Sequence, residues 1–133
     1  MKIDKKIEDI KATDVKVYGM MTDFRALSSR VPPQAEDWKA DENHCEFTIK
    51  GMMAMKVDIA EKKEFNKVVY QLSNDKGMPA TIVVDINGKG ETCDVALHAE
   101  MQVPVFMEFM LKGAVNQVLE KVGGSFKTAI EQA

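Results

Sequence analysis

Six consecutive stretches in the middle of the chain alternate apolar and polar residues with a period of two. In the clearest one, Met53, Met55, Val57 and Ile59 alternate with Ala54, Lys56, Asp58 and Ala60. Alternation puts every second side chain on one face, so each stretch predicts a strand with one buried and one solvated face. Gly51 and the run Asn87-Gly88-Lys89-Gly90 are typical of hairpin turns. The sequence therefore predicts consecutive antiparallel strands from the Trp38 region to Met101.

Apolar residues change to a helical period after Pro104, which predicts one long helix from about Val105 to Gln132. A helix of that length spans about 42 Å. It is the only predicted element long enough to cover the apolar face of the sheet. Gly123-Gly124 is expected to kink it, because glycine lowers helix stability.

The first part of the chain predicts a strand over Ile3–Ile10 and two short helices. Thr13 or Asp14 can cap the first helix, for which we expect an apolar side of Val15, Tyr18 and Met21, with Val17. The second runs from about Phe24 to Ser29 and ends before Pro32-Pro33. The order of elements predicts an α+β fold with a seven-stranded antiparallel sheet.

The composition limits the classes of function. The chain has 133 residues, which predicts a single domain over 1–133, and its net charge of −3 argues against nucleic-acid binding and electrostatic attachment to anionic lipid. The chain contains no window of about 18 apolar residues, so we predict no stable membrane insertion. Met1–Glu8 mixes charged with aliphatic residues, unlike a secretory signal. We therefore expect a cytoplasmic protein.

Cys45 and Cys93 are the only cysteines, and a reducing compartment favours two small buried hydrophobic residues over a disulfide. His44 and His98 are not at metal-ligand spacing from each other or from the cysteines. We predict no metal and no cofactor.

Several loose motifs resemble the START-related superfamily, also called SRPBCC, whose type is the birch-pollen allergen. They are the segment Ala12–Leu27 with its Asp23-Phe24 step, then Val31-Pro32-Pro33, the Trp38 strand, the hairpin Lys50-Gly51-Met52 and the amphipathic last helix. The resemblance covers almost the whole chain. It implies a helix-grip fold, in which a curved sheet wraps around the long C-terminal helix and leaves a cavity between them. Members include lipid carriers, polyketide cyclases and dehydrases, quinone-binding proteins and chaperone activators.

The chain has ten methionines, and groups of them fall at Met52, Met53 and Met55 and at Met101, Met107 and Met110. Methionine adapts to irregular apolar surfaces and to changing guests, although it also fills gaps in ordinary cores. With the resemblance, the cluster predicts binding of a small hydrophobic molecule, such as a lipid, a quinone or a polyketide-like compound. The predicted lining is Phe47, Ile49, Met53, Met55, Val57, Met107, Met110, Leu111, Ala114, Val115 and Val118.

Two other hypotheses stay open at this stage. A cyclase or dehydratase would need an inward acid or base, and Tyr18, Tyr70 and His98 are the available candidates. His98 shares the polar face of its strand with Asp94 and Glu100, so we expect it to face solvent, and we predict no catalytic residue. A protein-interaction module would instead have a collapsed cavity and an exposed apolar patch. Trp38 is either a core anchor or a wall of the cavity.

Overall fold

The computed structural model describes residues 1–30, 35–51 and 53–132. Its elements, in chain order, are β1 (Lys2–Ile10), α1 (Asp14–Met21), a 3₁₀ helix (Phe24–Arg30), β2 (Ala35–Ala40), β3 (His44–Ile49), β4 (Met53–Lys63), β5 (Lys67–Asn74), β6 (Ala80–Gly88), β7 (Cys93–Met101) and α2 (Val105–Gln132). The predicted element order is confirmed. The proposed helix stop at Pro32-Pro33 and the Met52 position lie outside the described residues.

Within the described residues the strands form a seven-stranded antiparallel sheet in the order β1-β7-β6-β5-β4-β3-β2. Five of the six pairings join strands that follow one another along the chain, and β1 closes the order by pairing with β7. The α+β prediction of a curved sheet with a long C-terminal helix and two short helices is confirmed.

Bulges bend three strands, because an extra residue on one strand breaks the ladder and increases its twist. They lie between Ile7 and Ile10, between Glu36 and Lys39, and between Ile59 and Glu61. Asp9 and Asp37 sit within two of them at φ angles of 53° and 55°. Aspartate tolerates this left-handed region better than most residues, so the bulges suit the local sequence.

Thr13 caps α1, and its side-chain oxygen accepts a hydrogen bond from the Lys16 amide at 3.3 Å. This confirms one of the two predicted caps. Val17 and Met21 are buried, but Val15 is exposed, so its predicted place on the apolar side is wrong. Position 15 is about 160° around the helix from Val17 and therefore turns outward.

Buried residues form two clusters that share the partly buried neighbours Ile59, Tyr70 and Ile82. One joins β1, α1, β5, β6 and β7 to the last turns of α2 through residues such as Ile7, Val17, Val95, Phe126 and Ile130. The other joins the 3₁₀ helix to β3, β4 and the β5–β6 connection and receives only partly buried residues from the first turns of α2. The C-terminal part of α2 is therefore anchored in the first cluster, while its first turns contribute only partly buried residues to the second.

Candidate functional site

An open cavity of about 840 Å³ lies under the first turns of α2, beside the second hydrophobic cluster. Strand β4 contributes Met53, the β5–β6 connection contributes Met78, and the end of β7 contributes Met101. Helix α2 closes one side with Met107 and Leu111. The remaining lining residues are Met1, Gly51, Lys76, Gly77, Glu100, Gln102, Val103 and Pro104.

Methionine is the dominant side chain of this cavity. Met1, Met53, Met78, Met101 and Met107, half of the chain's ten methionines, line it. Their unbranched and polarizable side chains can adjust to guests of different shape. The wall is therefore mainly apolar and adaptable.

Backbone hydrogen bonds beside the cavity join the residue before β1 to the end of β7. The amino group of Met1 donates a hydrogen bond to the Met101 carbonyl at 2.8 Å, and the Met101 amide donates to the Met1 carbonyl at 2.9 Å. The Gln102 amide donates to the Pro79 carbonyl at 3.0 Å. These bonds fix the segment that leads from β7 into α2.

Asn74 shapes the loop that carries Lys76 and Met78. Its side-chain oxygen accepts hydrogen bonds from the amides of both residues, at 3.0 and 3.1 Å, and its side-chain amide donates to the Met78 carbonyl. Asparagine often holds a turn through such bonds to its own loop. The loop thus presents a buried methionine and an exposed lysine to the same cavity.

The structure brings three of the predicted lining residues, Met53, Met107 and Leu111, to the cavity wall. Four others, Phe47, Ile49, Met55 and Val57, lie in the same hydrophobic cluster without lining the cavity itself. Val115 is partly buried further along α2. The side chains of Ala114 and Val118 lie outside the described part of the structure.

Met110 requires a correction, because its side chain is 77% exposed and does not line the cavity. The first turns of α2 carry apolar residues on both sides of the helix, and Met107 and Leu111 take the inner side. Met110 is about 60° from Met107 and about 100° from Leu111 around the helix, and it projects outward.

The sequence prediction omitted Met78, Val103 and the chain terminus at Met1 as lining residues. Met78 lies in a loop between Gly77 and Pro79, where no periodicity assigns a face. Met101 was recognised in the methionine cluster but not placed in the lining. The abundance of methionine around the start of α2 was the available signal.

Trp38 and Tyr70 both have structural partners. The Trp38 ring stacks on Phe47 with centroids 5.6 Å apart, and its indole nitrogen donates to the Ser28 hydroxyl at 3.0 Å. The Tyr70 hydroxyl donates to the Met21 carbonyl, and its ring lies 5.7 Å from that of Phe24. Burial raises the pKa of Tyr70 above its ordinary value. Tyr70 is therefore a bridge between β5 and α1.

His98 faces outward, as its strand register predicts. Its Nδ1 lies 2.7 Å from an Asp4 oxygen, its Nε2 lies 3.4 Å from an Asp85 oxygen, and its side chain is half exposed. From its place after Asn43 in a turn, the sequence predicts a loop position for His44; the structure corrects this, since His44 begins β3 and its Nδ1 lies 2.6 Å from an Asp58 oxygen. The alternating pattern includes His44 as the first residue of its strand.

Both cysteines are free and buried, as predicted. Burial, reinforced by the nearby Asp58 charge, raises the pKa of Cys45 to about 12. Burial also raises the pKa of Cys93. Since the thiolate is the nucleophilic form, neither thiol is activated. In the described residues, no helix is long and apolar enough to cross a membrane, and no group of three or more potential metal ligands occurs.

Comparison with solved structures identifies the fold. A START superfamily protein from Mycobacterium smegmatis aligns with a TM-score of 0.73 at 15% identity, over 98% of this chain and 97% of its own. A truncated norcoclaurine synthase from Thalictrum flavum gives 0.73 at 12% identity, over 99% and 91%. The Aha1 dimer from Colwellia psychrerythraea gives 0.67 at 16% identity, over 98% and 96%. These likenesses confirm the helix-grip fold. No protein-family model and no curated protein matches the chain.

Proposed function

We propose that this protein binds a small hydrophobic molecule, of the lipid, quinone or polyketide-like class, in the cavity under the first turns of α2. The observation that carries the proposal is a methionine-rich space of about 840 Å³. Ligand sites are typically concave, mostly apolar and about 300–1,000 Å³ in volume. The START-related fold, whose members include carriers of such molecules, supports the same class.

Apolar burial supplies the driving force in this proposal. Removing apolar surface from water is favourable by about 25 cal/mol per Å². Met53, Met78 and Met107 come from three separate elements, so a guest would touch all of them at once. Shape and apolar area would therefore set selectivity more than individual hydrogen bonds.

The rim suggests how an amphiphilic guest would be oriented. Lys76, Glu100 and Gln102 are exposed residues at the boundary of the cavity. A polar head group would remain there in contact with water, because burying it without a partner is costly. The apolar part of the guest would then occupy the space between Met53 and Leu111.

The enzyme alternative loses two of its three candidate residues. The Tyr70 hydroxyl is already held by a backbone carbonyl, and His98 lies on the outer face of the sheet between Asp4 and Asp85. Tyr18 is partly buried, with its ring edge against Phe65. Ligand binding needs none of these groups to react.

Titration with a fluorescent polyene fatty acid and with a neutral quinone analogue tests the proposal, alongside native mass spectrometry of the purified protein. Leu111→Trp should fill the cavity and weaken probe binding about tenfold or more, which corresponds to about 1.4 kcal/mol. Met110→Trp is the matched control on the same helix. Because Met110 projects outward, its replacement should leave probe affinity within about twofold of wild type.

Three results would contradict the proposal: no uptake of either probe with no co-purifying molecule, equal affinity in wild type and folded Leu111→Trp, or weakening by Met110→Trp alone. Circular dichroism and thermal denaturation show whether each variant is folded.

A further inference from the structure

The first turns of α2 expose a continuous apolar face that the cavity does not use. Val105, Phe106, Phe109 and Met110 are 86%, 81%, 92% and 77% exposed, and Gly113 lies beside them without a side chain. We refer to these five residues as the outer face of α2. Two exposed phenylalanines and a methionine on adjacent turns are unusual for a protein that remains alone in water.

The outer face has a sharp boundary along the helix. From Val105 to Gly113 it spans about 12 Å at the usual helical rise. The same side of the following turns carries Asn116, Gln117 and Glu120, which are polar and exposed. The apolar exposure is therefore a bounded patch and not a general property of the helix.

We propose that the outer face of α2 is the interface of a two-fold dimer of this chain, in which the α2 helices of two copies cross antiparallel near Phe109 and Met110. An isologous interface requires a patch that complements itself. In this arrangement Phe106 of one copy faces the partner subunit's Gly113. A Cβ built on Gly113 meets no atom within 4 Å, so the space over this glycine is open to receive a ring.

Charge complementarity favours the same register. Glu108 and Lys112 lie on one flank of the outer face, and neither forms an ion pair in the described part of the chain. In an antiparallel pair of helices related by a two-fold axis, the same flank of each helix lies beside that of its partner, and the two chains run in opposite directions. Glu108 therefore faces the partner subunit's Lys112, and the reverse contact occurs by symmetry.

The available area fits a dimer of modest affinity. Aromatic side chains bury about 150–250 Å² each, so four phenylalanines from two copies supply about 600–1,000 Å². Specific interfaces bury about 1,200–2,000 Å² in total. When Val105 and Met110 of both copies are added to the phenylalanines, the buried area approaches the lower end of that range. We expect a reversible, concentration-dependent dimer.

A lipid surface is the competing occupant, and the charges favour it less. Attachment to anionic lipid requires a basic surround. Here the flank carries Glu108 with Lys112, and the whole chain has a net charge of −3. Alternating signs suit a second copy of the same chain better than a uniformly anionic surface.

Sedimentation velocity over a wide concentration range tests the dimer. Phe109→Ser should raise its dissociation constant about tenfold or more, because truncating a central aromatic anchor is among the most costly changes at an interface. Gln117→Ser, on the same side of the helix beyond the outer face, should leave it unchanged. A monomer at all concentrations, or a dimer indifferent to Phe109→Ser, would overturn the proposal. So would Phe109-dependent binding to phosphatidylcholine or phosphatidylserine vesicles by a protein that stays monomeric in solution.

Charge exchange and cross-linking test the register. Glu108→Lys and Lys112→Glu should each weaken the dimer, and the double variant should restore it. Since Met110 lies near the two-fold axis, Met110→Cys should form an intersubunit disulfide under mild oxidation far more readily than Gln117→Cys. The native thiols are buried and do not compete. Failure of the double variant to restore the dimer, or equal cross-linking at both positions, would exclude this register and overturn the proposal.

Discussion

Gly123 of α2 lies against Ile7 of β1 so closely that a Cβ built on the glycine would be 3.4 Å from the Ile7 Cδ1 atom. A methyl group at position 123 would therefore be in van der Waals contact with β1, and a larger side chain would have to displace Ile7 or the helix. Next to it, Gly124 is exposed, and a Cβ there would meet nothing within 4 Å. The predicted kink at this pair is not seen as a break, because α2 runs without interruption from Val105 to Gln132.

We predict opposite effects for substitutions at these two glycines. Gly124→Ala should raise the free energy of unfolding by about 0.5–1 kcal/mol, because alanine stabilises an exposed helical position relative to glycine. Gly123→Leu should lower it, since the larger side chain would push the helix away from β1. Urea denaturation measures both. Equal stabilisation by the two substitutions would contradict the close approach.

Much of this fold could be predicted from the sequence because its elements are long and regular. Pro104 and the helical period predict the bounds of α2 that the structure shows. Alternation predicts which face of β4 is buried. The face of α2 that meets the sheet was harder to predict, since Phe106, Phe109 and Met110 are as apolar as their inward neighbours. The polar residues of these turns, Glu108 and Lys112, lie on a flank between the two apolar sides, so periodicity cannot assign an inner and an outer face there.

The composition of the cavity depends on contacts between distant parts of the chain. Pairing of β1 with β7 brings Met1 to Met101, and the Asn74 hydrogen bonds bring Met78 inward from a loop. No local pattern encodes either event. Strand residues such as Phe47 and Val57 were correctly assigned to the inner face of the sheet, but their distance from the cavity could not be read from alternation.

Lys76 should influence the binding of anionic guests, if the cavity binds ligands as proposed. Lys76→Glu should weaken binding of the fatty-acid probe about threefold at low salt, with a smaller effect at high salt, because exposed charges are screened. The neutral quinone analogue should bind equally well to both proteins. Lys39→Glu, on β2 and outside the cavity lining, is the matched control. An equal loss for both probes would point to a change in the loop instead of an electrostatic effect.

Alkaline pH should destabilise the protein through groups that stay protonated in the folded state. Burial raises the pKa of Cys45 from 9.0 to about 12, and burial also raises that of Tyr70. The unfolded chain releases these protons first, so stability is complete below about pH 9 and declines as pH rises, by up to about 1.4 kcal/mol per pH unit for each group.

Urea denaturation at successive pH values measures this decline, and Cys45→Ala should reduce its slope. Ellman's reagent should label both thiols only after unfolding. A free energy of unfolding that stays constant from about pH 8 to about pH 11 would contradict the expectation.

Asp94 links the β6–β7 turn to the bulge in β1. One carboxylate oxygen lies 2.6 Å from the Lys89 Nζ atom, and the other accepts a hydrogen bond from the Asp9 amide at 3.0 Å. These contacts, led by the bond from Lys89, hold the pKa of Asp94 below its ordinary value of 3.8. A lowered pKa means that the stabilisation is present above that ordinary value and is lost as pH falls through the folded-state pKa.

Asp94→Asn should therefore lower the melting temperature at neutral pH, and the difference from wild type should shrink in acid. Glu91→Gln removes an exposed charge from the same turn and should have little effect at either pH. Differential scanning calorimetry at neutral and acidic pH distinguishes the two. A melting-temperature difference for Asp94→Asn that does not change with pH would show that the side chain acts through shape or neutral hydrogen bonding, and that its charge does not stabilise the bulge.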